Sequence, residues 1–392
     1  MFFLIAFSIY LGAHVYSASR LISPSRFPRV IKTAFWAAFL MHSLLVPAMF
    51  FLRNGGYWPK WLGLYYFAVF TGAGFMAILF PMLVARDALW IAYKLPAIAR
   101  KTFTKEADDK PANPERRLFF VNTINAGITA ATSGMTGLGV YNACRPPAIV
   151  EVTMTSQKLP PEFDGFTIAQ ITDVHLSPTV GADLLNMIVD MVNELGADMV
   201  AVTGDMVDGY VNELGETVKS LGRIKSRHGS YFVTGNHEYY WNGPKWVEKF
   251  RSIGLTPLIN ENVVIERNGV GILVAGIPDH SAGRGIPGHS PDLQKALAGA
   301  PELDFKLMLA HQPRSVVYTV ESGFDMMICG HTHGGQFFPW NLIIPLFHPV
   351  PTGFSIYKGM PVYASAGTVY WGPPMRLGTR AEITRITLKR EA

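Results

Sequence analysis

The stretch that decides the fold is MVAVTGDMVD, residues 199–208. Its first five residues form a short uncharged run, and a glycine and two aspartates follow directly. A short apolar run that ends in a turn signal is typical of a strand that is buried on both faces of a sheet. Polar side chains that follow such a strand lie at its carboxyl end, which is where open α/β sheets bind ligands. The stretch therefore predicts an α/β domain with a polar site along one edge of a sheet.

Five further apolar runs repeat this pattern along the C-terminal part of the chain. They span Phe166–Thr172, Tyr231–Thr234, Gly271–Ile277, Phe305–Ala310 and Met326–Cys329. Helical periodicity of apolar residues is found at Gly181–Leu195, Glu213–Lys225, Pro244–Ile253 and Pro313–Glu321. Strands that alternate with helices predict an α/β fold, and about 240 residues suffice for one large domain.

Chemically active side chains follow five of the predicted strands. They are Asp173, His175, Asp205, Asp208, Asn236, His237, Glu238, His311, His331 and His333. A core histidine with satisfied hydrogen bonds explains any single one of these, but not clusters after five strands. Carboxylate, imidazole and amide groups suit a divalent manganese, iron or zinc ion, and the set lacks the thiolates of a structural zinc site. The set is large enough for two ions, which at about 3.5–4 Å from each other activate water and hold both oxygens of a displacement at phosphorus.

The order of these motifs resembles a known family. D-x-H, G-D-x-x-D, G-N-H-E, a later single histidine and G-H-x-H occur in that order between residues 150 and 388, as in the calcineurin-like metallophosphoesterases. Met375-Arg376 and Ala381-Glu382-Ile383 resemble the subgroup that is fused to a transmembrane region or a twin-arginine signal. That subgroup includes enzymes similar to UDP-2,3-diacylglucosamine pyrophosphohydrolases. The resemblance implies a two-sheet β-sandwich flanked by helices for residues 148–392.

The resemblance also implies a role for each motif residue. The implied ligands are Asp173, His175 and His333 for the first ion, Asn236, His311 and His331 for the second, and Asp205 as the bridge. His237 resembles the histidine that protonates the leaving oxygen, and Asp208 would orient it. Glu238 has no clear role beyond a structural one. The implied cofactor is a pair of divalent ions, with manganese expected first and iron or zinc as alternatives.

One departure from the family bears on the substrate. Gly209 and Tyr210 follow Asp208, whereas protein Ser/Thr phosphatases of the superfamily have an arginine directly after this aspartate. Loss of that clamp for a dianionic phosphate favours phosphodiesters or pyrophosphates, unless Arg284 or Arg376 replaces it. A phosphomonoesterase or protein phosphatase stays open as an alternative. So does a non-catalytic membrane sensor with a fossil site, although such a protein is expected to have a broken ligand set.

Residues 1–147 differ in composition from the rest of the chain. They hold 15 Lys and Arg against 5 Asp and Glu, whereas residues 148–392 hold 19 against 24. The positive charge therefore flanks apolar segments, and the mildly acidic larger part argues against a partner among the nucleic acids. Four segments reach the roughly 20 residues that cross a bilayer. We predict membrane helices at about 2–19, 30–52, 61–85 and 118–140, with an interfacial helix at about 86–99.

The basic residues of the short loops predict the orientation. Twelve of them lie in the first and third loops, against four in the second loop and after the fourth segment. Because basic loops stay in the cytoplasm, we expect an integral protein of the inner membrane whose catalytic domain is extracytoplasmic. His42, inside the second segment, is expected to hydrogen-bond between helices, since no Asp or Glu accompanies it there.

The segment Phe337–Phe354 is the last candidate feature. It contains four prolines and no Asp, Glu, Lys or Arg, so it cannot form one continuous helix. Burial against the domain is one explanation, and contact of Trp340, Ile343 and Phe347 with a membrane is the other. We expect the second, with membrane lipids as partners and a phosphorylated lipid or lipid-linked molecule as substrate. Arg376 is a further candidate substrate contact.

Overall fold

The structure is a computed structural model that describes residues 2–54, 61–104, 113–280 and 283–391. The chain divides into two compact units. One comprises Met1–Val140 with Pro373–Met375, and the other comprises Tyr141–Gly372 with Arg376–Ala392. Three of the basic loop residues used to predict the orientation, Lys60, Lys105 and Lys110, lie outside the described residues.

Four helices make up the described part of the first unit. They are α1 (Phe2–Ile22), α2 (Arg29–Asn54), α3 (Trp61–Thr104) and α4 (Pro114–Ala143), and each contains one of the four predicted segments. The residues predicted as an interfacial helix, about 86–99, continue α3 without a break.

The structure supports two of the four predicted membrane-crossing helices. Among the described residues, two stretches are long and apolar enough to cross a bilayer: Arg29–Met49, with mean hydropathy 1.4, and Trp61–Pro96, with mean hydropathy 2.1. Helix α4 has the length but is less apolar than α2 and α3. Polar residues such as Asn122 and Asn125 lower the hydropathy of α4.

The second unit contains twelve described strands and seven further helices. The strands are β1 (Ala148–Ser156), β2 (Thr167–Ile171), β3 (Met199–Val202), β4 (Ser230–Phe232), β5 (Thr256–Pro257), β6 (Glu261–Arg267), β7 (Val270–Gly276), β8 (Lys306–Leu309), β9 (Met326–Cys329), β10 (Gly353–Tyr357), β11 (Met360–Ala364) and β12 (Glu382–Arg390). The helices are α5 (Ala182–Glu194), α6 (Val211–Leu214), α7 (Asn236–Tyr240), α8 (Gly243–Ser252), α9 (Leu293–Leu297), α10 (Val316–Glu321) and α11 (Trp340–Ile343).

The strands form two six-stranded sheets. Their orders are β1-β12-β2-β3-β4-β5 and β10-β11-β9-β8-β7-β6. Strands β2 to β5 are parallel in the first sheet, and β7, β8, β9 and β11 are parallel in the second. Because the carboxyl ends of parallel strands meet at one edge, the loops after β2, β3 and β4 lie side by side, as do those after β8 and β9.

Burial on both faces explains why the central strands read as continuous apolar runs. In β3, Met199 and Ala201 belong to the core between the sheets, whereas Val200 and Val202 belong to the core beneath α5 and α8. In the second sheet, Leu307 faces the core between the sheets, whereas Met308 faces the core that includes residues of α9 and α10. The layers are therefore helix, sheet, sheet and helix, which confirms the predicted two-sheet α/β fold.

A buried carboxylate joins the two sheets near the functional edge. Oε1 of Glu382, the first residue of β12, accepts hydrogen bonds from the Tyr363 hydroxyl of β11 at 2.8 Å and from the Ser365 hydroxyl at 3.0 Å. It also accepts one from the Ala366 amide at 3.1 Å. Because β11 and β12 belong to different sheets, Glu382 fixes the position of the loop after β11.

Candidate metal centre

The predicted ligands lie at the carboxyl ends of five strands, where the sheet topology brings them together. Asp173 and His175 follow β2, Asp205 and Asp208 follow β3, Asn236 and His237 begin α7 after β4, His311 follows β8, and His331 and His333 follow β9. Most of these side chains are less than one tenth exposed. Among the described residues, three groups of three have ligand atoms within 4.8 Å of one another, and two of these groups consist of predicted metal ligands alone.

The first group consists of Asp173, His175 and His333. Nε2 of His175 lies 3.1 Å from Nε2 of His333. Oδ1 of Asp173 lies 3.5 Å from Nε2 of His333 and 4.0 Å from Nε2 of His175. The three ligand atoms thus converge on one point, as a metal ion requires.

The second group consists of Asp205, His311 and His331. Nε2 of His311 lies 3.1 Å from Nδ1 of His331 and 3.1 Å from Oδ2 of Asp205. The same Oδ2 lies 3.9 Å from Nε2 of His175 in the first group. Asp205 therefore lies between the two groups, in the position that a bridging carboxylate needs.

Hydrogen bonding supports a metal at the second group. Nδ1 of His311 lies 2.7 Å from the Thr203 carbonyl oxygen, which only accepts, so Nδ1 carries the hydrogen and Nε2 offers a lone pair. Among the described residues, Oδ1 of Asn236 is buried without a hydrogen-bond partner. A buried amide oxygen normally has a partner, and a metal ion would supply one. The residues present therefore fit two divalent ions.

Left-handed backbone aims these side chains at the common edge. Asp173, His175, Asp205, His331 and His333 have φ values of 55°, 50°, 53°, 76° and 50°. Residues other than glycine rarely adopt this conformation, which costs about 1–3 kcal/mol each. This cost is offset by favourable interactions elsewhere in the fold. The left-handed conformation makes each chain segment turn sharply where its strand ends.

Two glycines allow the loops after β3 and β4 to touch. A Cβ atom on Gly235 would lie 2.1 Å from Oδ1 of Asp205. Gly204 has φ of +90°, and a Cβ atom there would lie 2.4 Å from the amide nitrogen of Gly235. Neither position tolerates a side chain, so the close approach of the two loops depends on glycine.

Glu238 ties these same two loops together. Its carboxylate accepts hydrogen bonds from the amides of Asp205 at 3.0 Å, Met206 at 2.7 Å and Gly235 at 2.7 Å. Its side chain is fully buried. The role that the sequence left open for Glu238 is thus a structural one: it positions Asp205.

His237 and Asp208 form a pair beside the two ligand groups. Nδ1 of His237 lies 2.5 Å from Oδ1 of Asp208. Burial lowers the pKa of His237, but the carboxylates of Asp205 and Asp208 outweigh burial and raise this pKa to about 9. A divalent ion bound to Asp205 would offset the effect of that carboxylate on the pKa of His237. Asp208 would then be the partner that keeps the imidazole protonated.

Trp371 is a site residue that sequence reasoning missed. Its ring centroid lies 5.4 Å from that of His237 and 6.3 Å from that of His175, and the residue is half exposed. Tyr240 flanks His237 from another side at 5.1 Å. Neither aromatic residue belongs to a metal motif, so only the tertiary structure reveals that the entrance to the site is aromatic.

The expectation that Arg376 contacts substrate is wrong. Its side chain is 0% exposed. Nη1 donates to the carbonyls of Ala366 at 2.7 Å and His333 at 3.2 Å, and Nη2 donates to the Val369 carbonyl and faces Nδ1 of His333 at 3.1 Å. Both terminal nitrogens of the guanidinium are therefore used inside the domain, so Arg376 positions His333 and the loop after β11.

The three predicted membrane-contact residues lie in a segment of short helical turns. Trp340 and Phe347 are exposed, whereas Ile343 is only partly exposed. The segment forms α11 and a single 3-10 turn over Ile344–Leu346, in keeping with its prolines.

A two-sheet fold with two adjoining ligand groups defines the class of a metal-dependent phosphoesterase. The profile described as calcineurin-like phosphoesterase matches residues 166–335. The chain is 36% identical over 374 residues to a "Transmembrane protein with metallophosphoesterase domain" of Danio rerio, covering 93% of this chain and 81% of that protein. The chain belongs to the calcineurin-like metallophosphoesterase family and is a metal-dependent hydrolase of phosphate esters.

Two further proteins are similar over smaller parts. A Bos taurus protein of the same description is 39% identical over 269 residues, 66% of this chain, and the chain spans 61% of its length. The solved Haemophilus influenzae NAD nucleotidase is 15% identical with a TM-score of 0.35, over 52% of this chain and 51% of that one. This second likeness is too distant to bear on function.

Metal content tests the position of Asp205. Asp205→Asn keeps the shape of the side chain but removes the negative charge that lies between the two ligand groups, so we expect it to bind less metal. After loading with Mn²⁺ and dialysis, elemental analysis should give two ions per wild-type chain and fewer than about one per variant chain.

The matched control is His228→Gln, which changes an imidazole at the amino end of β4, away from the ligands. It should bind metal like the wild type. Wild-type metal content in Asp205→Asn would contradict the bridging position.

Proposed function

We propose that the chain is a membrane-anchored phosphodiesterase or pyrophosphatase that acts on a phosphorylated lipid or a lipid-linked substrate. One observation carries the proposal. Four exposed apolar side chains, Trp340, Leu342, Leu346 and Phe347, form what we call the apolar surface, and it belongs to the segment that directly follows the last metal motif.

Contacts connect the apolar surface to the metal centre. The ring centroid of His348, next to Phe347, lies 6.0 Å from that of the ligand His331. The Phe347 carbonyl oxygen accepts a hydrogen bond from Arg314 at 3.3 Å, which holds the segment against the domain. Leu342, Leu346 and Phe347 are 63%, 78% and 62% exposed. A cluster of this kind marks a surface that binds an apolar partner.

A bilayer is the partner that the rest of the chain favours. The two stretches Arg29–Met49 and Trp61–Pro96 are long and apolar enough to cross a membrane, and the relatives quoted above are described as transmembrane proteins. Exposed Trp, Leu and Phe side chains enter the interface between lipid head groups and acyl chains. A domain tethered there would meet lipid phosphates at high local concentration.

The environment of Asp208 supports a diester or anhydride substrate. Gly209 follows it in place of an arginine, and the Gly209 carbonyl accepts a hydrogen bond from the buried Trp246 indole at 3.0 Å. The neighbouring aromatic side chains of Tyr240 and Trp371 are uncharged, so they suit a substrate with one negative charge per phosphate and an apolar substituent.

The protein residues perform acid catalysis and positioning. Two divalent ions, which we propose to be Mn²⁺ with Fe or Zn as alternatives, would supply a polarised water and neutralise the phosphate oxygens. The imidazolium of His237 would give its proton to the oxygen of the leaving group. Asp208 fixes the orientation of that ring through its contact with Nδ1.

The role of His237 is tested with leaving groups of different basicity. General acids contribute about 10²–10⁴-fold, and a poor leaving group needs the proton most. We expect His237→Ala to lose most of its turnover on an alkyl phosphodiester and much less on bis(p-nitrophenyl) phosphate, with metal content unchanged. Equal losses on both substrates would contradict acid catalysis, and loss of metal would make His237 a ligand.

The lipid substrate is tested by separating two activities. We expect Leu342→Ser, Leu346→Ser and Phe347→Ser together to lower activity about tenfold or more on a micellar diacylglycerol phosphodiester or pyrophosphate, because apolar anchoring is lost. Hydrolysis of bis(p-nitrophenyl) phosphate should persist, because the metal ligands are untouched. Asp205→Asn provides the inactive reference for both assays.

A second triple variant controls for lost surface hydrophobicity. Met187, Val264 and Val317 are exposed elsewhere on the domain, and their replacement by Ser should spare both activities. If the Leu342, Leu346 and Phe347 variant loses both activities together with thermal stability, the segment is part of the core. Activity on phosphopeptides but not on diesters would favour the phosphomonoesterase alternative.

The proposed extracytoplasmic orientation is tested by fusions at the C-terminus in a bacterial host. Because the basic loops favour the cytoplasm, we expect alkaline phosphatase fused there to be active and green fluorescent protein to be dark. The opposite pattern would place the catalytic domain in the cytoplasm.

A further inference from the structure

Two histidines meet inside the helical unit. His14 of α1 is 1% exposed, and its Nε2 lies 2.9 Å from Nδ1 of His42 in α2. The rings are stacked with centroids 5.2 Å apart. The sequence predicted that His42 hydrogen-bonds between helices, and the structure supplies His14 as a partner that was not foreseen.

The other nitrogen of each ring faces a backbone carbonyl. Nδ1 of His14 lies 2.9 Å from the Tyr10 carbonyl oxygen, and Nε2 of His42 lies 3.1 Å from the Val69 carbonyl oxygen of α3. Carbonyl oxygens only accept hydrogen bonds, so both of these nitrogens carry hydrogen. A neutral imidazole has one N–H. Two neutral rings would therefore place two lone pairs face to face at 2.9 Å.

One additional proton removes this conflict. If either facing nitrogen is protonated, it donates to the other, and 2.9 Å is an ordinary length for a hydrogen bond from N–H. A metal ion would need more ligands than this pair offers. Among the described residues, each group of three or more possible ligands contains a carboxylate, and neither His14 nor His42 belongs to one.

Helix α3 has a glycine where the ring of His42 packs against it. A Cβ atom on Gly72 of α3 would lie 2.3 Å from Nε2 of His42. Glycine at this position lets the ring reach the Val69 carbonyl. The two hydrogen-bonded histidines thus link three helices, since His14 belongs to α1, His42 to α2 and Val69 to α3.

The surroundings of the pair are aromatic. Tyr10 and Phe39 flank His14, with centroids at 4.4 Å and 6.3 Å, and the Tyr10 hydroxyl lies 3.4 Å from Nδ1 of His42. Asp87 of α3 instead binds Arg20 and the Tyr16 hydroxyl. In the part of the chain that the structure describes, no hydrogen bond or ion pair joins a carboxylate to either histidine.

We propose that His14 and His42 form a proton-binding site, which holds one excess proton between Nε2 of His14 and Nδ1 of His42. The bound proton clamps α1 to α2, while His42 holds α2 against α3. Loss of the proton leaves the two lone pairs opposed, so the packing of these helices depends on pH. This site is independent of phosphoester hydrolysis.

Nitrogen-15 spectra of the full-length wild-type chain, labelled on histidine and held in detergent, observe the proton directly. At about pH 7 we expect one hydrogen shared by two histidine rings, each of which also carries its own N–H. Two rings that are both neutral at this pH would overturn the proposal, and this measurement needs no variant.

The variant His14→Gln separates the proton from the hydrogen bond. The amide of glutamine donates to Nδ1 of His42 without an excess proton, so the helices stay linked. We expect the thermal midpoint of helix unfolding in the wild type to fall as the pH rises from about 6 to about 9, by several degrees more than in His14→Gln. The control variant His228→Gln, which removes an imidazole from the other unit, should show the same pH dependence as the wild type.

The remaining outcomes decide against the proposal. Identical pH profiles of the wild type and His14→Gln would show that no proton is released from the pair. Loss of one metal equivalent per chain in His14→Gln, measured by elemental analysis, would make the pair a metal site instead.

Discussion

The carboxylate of Asp205 is the group on which the catalytic domain depends. Its Oδ1 accepts a hydrogen bond from the His237 amide at 2.8 Å, and its Oδ2 lies 3.1 Å from Nε2 of His311. The same side chain lies between the two ligand groups and beside the His237–Asp208 pair. Moving it would disturb the candidate metal ligands and the proposed acid together.

The constraint is met by a costly local structure. Asp205 has φ of 53°, and its neighbour across the loop must be glycine, because a Cβ atom on Gly235 would lie 2.1 Å from Oδ1. Glu238 then holds both loops through three backbone amides. Strain of this kind persists only where the surroundings over-determine it, and here the parallel strands β3 and β4 do so.

The chain combines two kinds of polar site in apolar surroundings. In the catalytic domain, carboxylates and imidazoles converge so that cations can bind between them. In the helical unit, two imidazoles meet without a carboxylate, and a single proton satisfies both. The difference follows from ligand number, since a divalent ion needs several donors around it whereas a proton needs only two.

The sequence by itself determined the α/β class, the six central strands and the order of the metal motifs. It could do so because β3 and its neighbours are buried on both faces, which leaves an unbroken apolar run, and because each ligand directly follows such a run. It did not reveal edge strands such as β1 and β10, whose exposed and buried positions mix. Strand β1 is placed by pairing with β12 at the other end of the domain sequence, and β10 is placed by pairing with the adjacent β11.

Only the tertiary structure decided which side chains share a space. Trp371 reaches His237 and His175 from a segment that has no metal motif, and Arg376 turns inward to backbone carbonyls rather than outward to substrate. His14 contacts His42, which is 28 residues away in sequence. These contacts join segments that no local pattern relates, because hydrophobic periodicity reports burial along one element but not which element packs against it.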